Sequence, residues 1–131
     1  MTETDPVARA RAEVAAGAAL AKKGTDVVIL DVSQFLGITD YFVICSASSR
    51  KHAQVVAEHC RDIAIQEDAL ARPLEGVREG SAWVCGDFGD VVLHVFQEDA
   101  RDYYDLENLW ADCPRLELPS PSAPAVPAQE T

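Results

Sequence analysis

Apolar and polar residues follow two different periods along this chain, and the clearest pattern lies between Glu75 and Trp110. Two apolar runs, Ala82 to Cys85 and Val91 to Phe96, flank a Gly-Asp-Phe-Gly-Asp turn, the pattern of two adjacent antiparallel strands. In the second run only His94 is polar, so it reads as a strand buried on both faces. Beyond it Tyr103, Leu106, Trp110 and Cys113 recur at intervals of three and four, which predicts one helix with a single apolar side.

The preceding chain alternates between the same two periods. Asp5-Pro6 opens an alanine-rich helix that runs to about Lys23 and stops at Gly24. Asp26 to Val32 is a strand with four consecutive aliphatics, expected to be buried on both faces. Ser33 to Asp40 is a connection, with Phe35, Leu36 and Ile38 packing under it. Tyr41 to Cys45 is the second strand, and Ser46 to Ser49 leads into a helix from Arg50 to about Asp68. Ala53, Val56, Ala57, Cys60, Ile63 and Ala64 give that helix its buried side. Ala69 to Ser81 is irregular, with a short strand at Arg72 to Glu75. Pro114 ends the last helix, and Arg115 to Leu118 adds an edge strand.

The order helix, strand, strand, helix, strand, strand, helix defines an α/β fold, a mixed β-sheet flanked by helices. The first two strands are joined too tightly for a crossover, so they pair antiparallel, whereas the helix from Arg50 is long enough to cross over. Residues 1–118 form one domain. Residues 119–131, rich in Pro, Ala and Ser, read as a disordered tail.

Charge is spread unevenly along the chain. The net charge is −11, and Glu67 to Asp112 holds 12 acids against 3 bases, a net of −9, leaving only −2 elsewhere. That balance argues against direct affinity for nucleic acid and favours a protein partner with a basic surface. No apolar run approaches the length of a membrane helix, and the acidic start Met-Thr-Glu-Thr-Asp-Pro lacks signal-peptide features, so a cytoplasmic location is expected. Cys45, Cys60, Cys85 and Cys113 form no Cys-x-x-Cys clip and are expected to be buried thiols.

Candidate chemistry is sparse. Asp87-Phe88-Gly89 matches the metal-binding triplet of protein kinases, but no Gly-rich or catalytic loop accompanies it, so it reads as a hairpin turn. Two-metal nucleotidyl transfer needs clustered carboxylates. Asp26 and Asp31 lie five apart on a strand and point to opposite faces, whereas Asp87 and Asp90 converge on a turn without a third carboxylate. Ser48 or Ser49 caps the following helix, because the turn lacks the glycines that let phosphate approach the backbone. His94 is expected to be a satisfied core or groove-edge histidine, and His52 and His59 to be surface residues. Trp110 belongs to the core stripe; Trp83, beside acidic loops, reads either as core or as an interface anchor. No catalytic, cofactor-binding or metal-binding residue is assigned.

Several stretches together resemble a known family. They are Asp26 to Val32, Ile38-Thr-Asp-Tyr-Phe-Val-Ile-Cys-Ser, Ser48-Ser-Arg-Lys-His, Glu75-Gly, Ser81-Ala-Trp-Val, Asp87 to Phe96 and Arg101 to Trp110. In this order and spacing, over roughly residues 8 to 112, they resemble the ribosomal silencing factors, also called Iojap-like proteins. The resemblance implies a nucleotidyltransferase-like fold without the active site, and no enzyme activity. It implies binding to the large ribosomal subunit through its fourteenth protein, which blocks small-subunit joining and lowers translation when nutrients are short. It also implies homodimers. On this reading Leu74, Glu75, Glu79, Trp83, Asp87, Phe88 and Asp90 are the expected partner-binding residues, with no cofactor, no membrane and no sequence-specific nucleic-acid contact. The alternative is a metal-dependent nucleotidyltransferase-like enzyme.

Overall fold

The computed structural model describes residues 6–35, 39–67, 69, 71–77 and 82–116. Helix α1 (Pro6–Ala21) buries Ala8, Ala12, Ala15, Ala16, Ala18 and Ala19, and these small side chains let it lie close to the sheet. Its end is a double hydrogen-bonded cap: Gly24 N–H donates to the Ala19 carbonyl at 2.8 Å, and Lys23 N–H to that of Leu20 at 2.9 Å. The left-handed residue is therefore Lys23 (φ 68°), one position before the expected glycine. Gly24 serves close packing instead, since a Cβ there would sit 2.9 Å from the Ala19 carbonyl oxygen.

Strands β1 (Thr25–Asp31) and β2 (Tyr41–Ala47) pair antiparallel, as their short connection requires. Helix α2 (Arg50–Gln66) then crosses over to a hairpin of β3 (Trp83–Asp87) and β4 (Val91–Gln97). Strand β4 pairs in parallel with β2, in register from Tyr41 opposite Val91 to Ala47 opposite Gln97. Helices α3 (Glu98–Tyr104) and α4 (Leu106–Leu109) follow, and β5 (Arg115–Leu116) closes the other edge against β1. The sheet order is β3-β4-β2-β1-β5.

Side chains alternate across this sheet and make two unequal cores. Val27, Ile29, Tyr41, Val43, Cys45, Val91, Leu93 and Val95 face α1 and α2, two helices of 16 and 17 residues. Leu30, Phe42, Ile44 and Phe96 face the other way, toward Ala100, Leu106, Trp110 and Cys113. Among the described residues that second face is covered by two short helices, of 7 and 4 residues.

The break between them departs from the single helix that the spacing predicts. Asp105 adopts φ 49°, ending α3 and opening α4. The stripe is therefore cut: Leu106, Trp110 and Cys113 pack inward, while Tyr103 points out and is 82% exposed. Phe35, expected to pack beneath its loop, is 48% exposed, and Leu36 and Ile38 lie outside the described residues. The strand expected at Arg72 to Glu75 reduces to one bridge, Glu75 to Cys85. The proposed boundary at residue 118 and the tail 119–131 also lie outside the described residues.

Candidate functional site

The thinly covered face carries a connected aromatic surface. Trp83 and Phe96 are register partners on β3 and β4, and their rings stack at 4.9 Å between centroids. Tyr104 of α3 packs on Trp83 at 4.8 Å, and Tyr103 meets Tyr104 edge-on at 5.2 Å. The chain of rings thus runs from the buried Phe96 out to Tyr103 in solvent. Arg101 anchors this corner. Its buried guanidinium donates to Ser46 Oγ of β2 at 2.9 Å and to Glu107 Oε1 at 2.8 Å, pinning α3 to the sheet and bridging the break at Asp105. The hydrogen bond from Arg101 holds the Glu107 carboxyl below its usual range. Arg101 therefore pairs across the break rather than with Asp105 one turn on, as an unbroken helix would have it.

His94 lies beneath these rings. Trp83 Nε1–H donates to His94 Nδ1 at 3.1 Å, so the proton of the neutral imidazole sits on Nε2. Nε2 is buried and has no hydrogen-bond partner among the described residues. Phe42 meets the imidazole ring near edge-on at 4.6 Å. Burial pushes the His94 pKa down to about 4, so this histidine is a half-satisfied core group rather than a proton shuttle near neutrality. Cys85, 3.6 Å from His94 Nδ1, is only partly buried, unlike the other three cysteines, because it stands on the open face. Its thiol is nevertheless pushed up to about 11, by burial first and then by the charge of Glu75, which makes it a poor nucleophile.

The residues expected to bind a partner do not form one patch. Trp83 belongs to the aromatic face, whereas Leu74 and Phe88 lie on the α1/α2 side of the sheet. Phe88 is 2% exposed and serves as core, packed so closely that a Cβ on Gly86 would lie 2.8 Å from its ring. Asp87 pairs with Arg72 at 3.2 Å and Asp90 with Arg11 at 2.7 Å, so the chain's own arginines hold both charges. Glu75 is exposed, and Glu79 lies outside the described residues. Tyr103 and Tyr104 escape the sequence reading because the stripe of threes and fours assigns Tyr103 to the core.

The other chemical candidates resolve into structure. Asp87 Oδ1 accepts from Gly89 N–H at 3.0 Å, and Gly89 takes φ 86°, so the kinase-like triplet is a hairpin turn. Ser49 Oγ accepts from His52 N–H at 3.0 Å and caps α2. His52, expected at the surface, is half-buried and ties that cap to the Lys22 carbonyl at 2.8 Å. Among the described residues no three His, Cys, Asp or Glu side chains gather to hold a metal ion.

This is a small mixed α/β domain with one helix-covered face and one aromatic face. A crystal structure of a protein from Bacillus halodurans shares the fold, with a TM-score of 0.70 and 38% identity over 81% of this chain and 95% of that one. Residues 5–131 match the family model described as ribosomal silencing factor during starvation. The chain is 40% identical over 106 residues to ribosomal silencing factor RsfS of Bacillus subtilis, covering 81% of this chain and 89% of the relative. It is 30% identical over 89 residues to the mouse protein named mitochondrial assembly of ribosomal large subunit protein 1, covering 65% of this chain and 38% of that protein. The chain belongs to the ribosomal silencing factor family.

Proposed function

We propose that this protein binds the large ribosomal subunit through its fourteenth protein and blocks joining of the small subunit, lowering translation when nutrients are limiting. The observation that carries the docking site is the ring chain that runs from the buried Phe96 through Trp83 to Tyr104 and Tyr103, the two rings exposed on the acidic helix α3. Exposed tyrosines on α3, backed by a half-buried tryptophan on the sheet, are the residue types that commonly anchor protein interfaces. From Glu98 to Glu107 there are five acids and one base, and that base, Arg101, is buried and paired. Such a rim complements a basic ribosomal-protein surface and steers its approach.

Trp83 stays in the proposed contact, and the centre moves from the hairpin turn to α3. Inhibition by occupancy needs no catalytic group. The enzymatic alternative, metal-dependent nucleotidyl transfer, is disfavoured at Asp87 and Asp90 because Arg72 and Arg11 already occupy those carboxylates. Self-association is a separate proposal, checked by sedimentation of the protein alone at micromolar concentration.

Adding the protein to separated subunits on sucrose gradients tests the main reading. Co-sedimentation with large subunits and loss of the joined ribosome peak are expected. A protein that stays at the top of the gradient overturns it.

A further inference from the structure

Among the described residues, four cations stand outside the pairing that holds the other six. Ten of the chain's eleven basic residues are described. Arg9, Arg11, Arg72, Arg101 and Arg115 each face a carboxylate, and Arg61 donates to the carbonyls of Arg72 and Ala71. Lys22, Lys23, Arg50 and Lys51 have no carboxylate partner among the described residues, and all four are exposed. They include every lysine in the chain.

The fold brings them to one end. Lys22 and Lys23 follow α1, and Arg50 and Lys51 open α2. His52 joins the two helix ends, accepting from Ser48 N–H at 3.0 Å on Nδ1 and bonding the Lys22 carbonyl at 2.8 Å through Nε2. Lys22, Lys23, Ser48 and His52 line one shallow groove, in which Glu98 is the single acid among the described residues.

Stability does not account for the set. Lys22 and Lys23 suit the negative end of α1, but Arg50 and Lys51 occupy the first turn of α2, where the helix dipole favours acids. No acid stands in that turn. A local rule broken without a compensating pair points to function.

We propose that this end of the molecule contacts the phosphate backbone of ribosomal RNA once the protein is docked on the large subunit. The inference rests on the subunit-binding reading above. Ammonium and guanidinium groups on flexible stems neutralise phosphates without reading sequence. The whole-chain charge of −11 keeps RNA affinity of the free protein low, so the protein contact supplies the encounter and the basic end adds a local one. The two surfaces adjoin, because α2 follows β2 and α3 follows β4, parallel neighbours whose C-terminal ends lie side by side, and Glu98 of α3 lines the groove.

The test is binding of the full chain to purified large subunits across a salt series, comparing wild type with Lys22→Ala/Lys23→Ala/Arg50→Ala/Lys51→Ala. The dependence of log K on log salt should flatten by ~0.7–0.9 per lost phosphate contact, roughly 3 if all four engage. Trp83→Ala should lower affinity and keep the slope. An unchanged slope in the quadruple variant overturns the phosphate contact and leaves subunit binding standing. A wild-type chain that does not bind subunits overturns both. In a second arm, p-benzoylphenylalanine at position 51 is photo-crosslinked to bound subunits. An adduct on ribosomal RNA supports the proposal, and an adduct only on ribosomal protein overturns it.

Discussion

His94 shows what a single buried side chain does to this fold. Its pKa falls from 6.5 to about 4 because the charged imidazole loses hydration beneath Trp83 and Phe42. A depressed histidine makes the unfolded chain the better proton acceptor between those values. Its contribution is therefore complete above pH 6.5 and is lost as the pH falls toward 4, by on the order of 3 kcal/mol. Denaturant unfolding at pH 7 and pH 5 should show lower stability at pH 5. His94→Phe should flatten that difference, although it leaves Trp83 Nε1 without its acceptor. An equally steep pH dependence in the variant would assign the effect elsewhere. Residue-scale features of this kind were only partly legible. The burial of His94 follows from its apolar run, but its bond to Trp83 needs the hairpin register. Likewise Asp90 looks free in the sequence because its partner, Arg11, lies 79 residues away.

Among the elements, those with an unbroken apolar run, clear end signals or a long buried stripe are the legible ones. The first two strands and the hairpin emerge from unbroken apolar runs, the crossover helix from its spacing of threes and fours, and the alanine helix from its composition and end signals. The helix after β4 does not. Asp105 is not a glycine, and the tolerance of aspartate for positive φ is too common a feature to place a break; Lys23 carries no such signal at all. The strain at Asp105 gives a direct prediction. Asp105→Gly should leave stability unchanged or raise it by ~0.5–1 kcal/mol, since glycine adopts this conformation freely. Asp105→Val should cost ~1–3 kcal/mol, because a β-branched residue tolerates a positive φ poorly. Thermal melting of the two variants should bracket wild type. If valine is harmless, α3 and α4 straighten into one helix, and Tyr103 must turn from solvent toward the sheet.

For the whole molecule, the question is which exposed group reports docking without disturbing the fold. Trp83→Ala is ambiguous: it removes a contact to Phe96, Tyr104 and His94 together, so weaker binding can follow from a loosened face. Tyr103 is the cleaner probe, because it is 82% exposed and touches only Tyr104 among the described rings. Tyr103→Ala should leave the melting temperature within roughly 3 °C, as surface changes usually stay within about 0.5 kcal/mol. If the ring is an interface anchor, the same change should cost about 2 kcal/mol of affinity for large subunits, roughly thirtyfold, mostly through faster dissociation. Asp102→Lys, also exposed on α3, should instead slow association and reduce its salt sensitivity. Stopped-flow association and chase dissociation measurements on the two variants separate these effects. Should Tyr103→Ala bind like wild type, the aromatic chain ends short of the contact. The acidic rim would then act alone, and affinity would fall steeply with salt for wild type and variant alike.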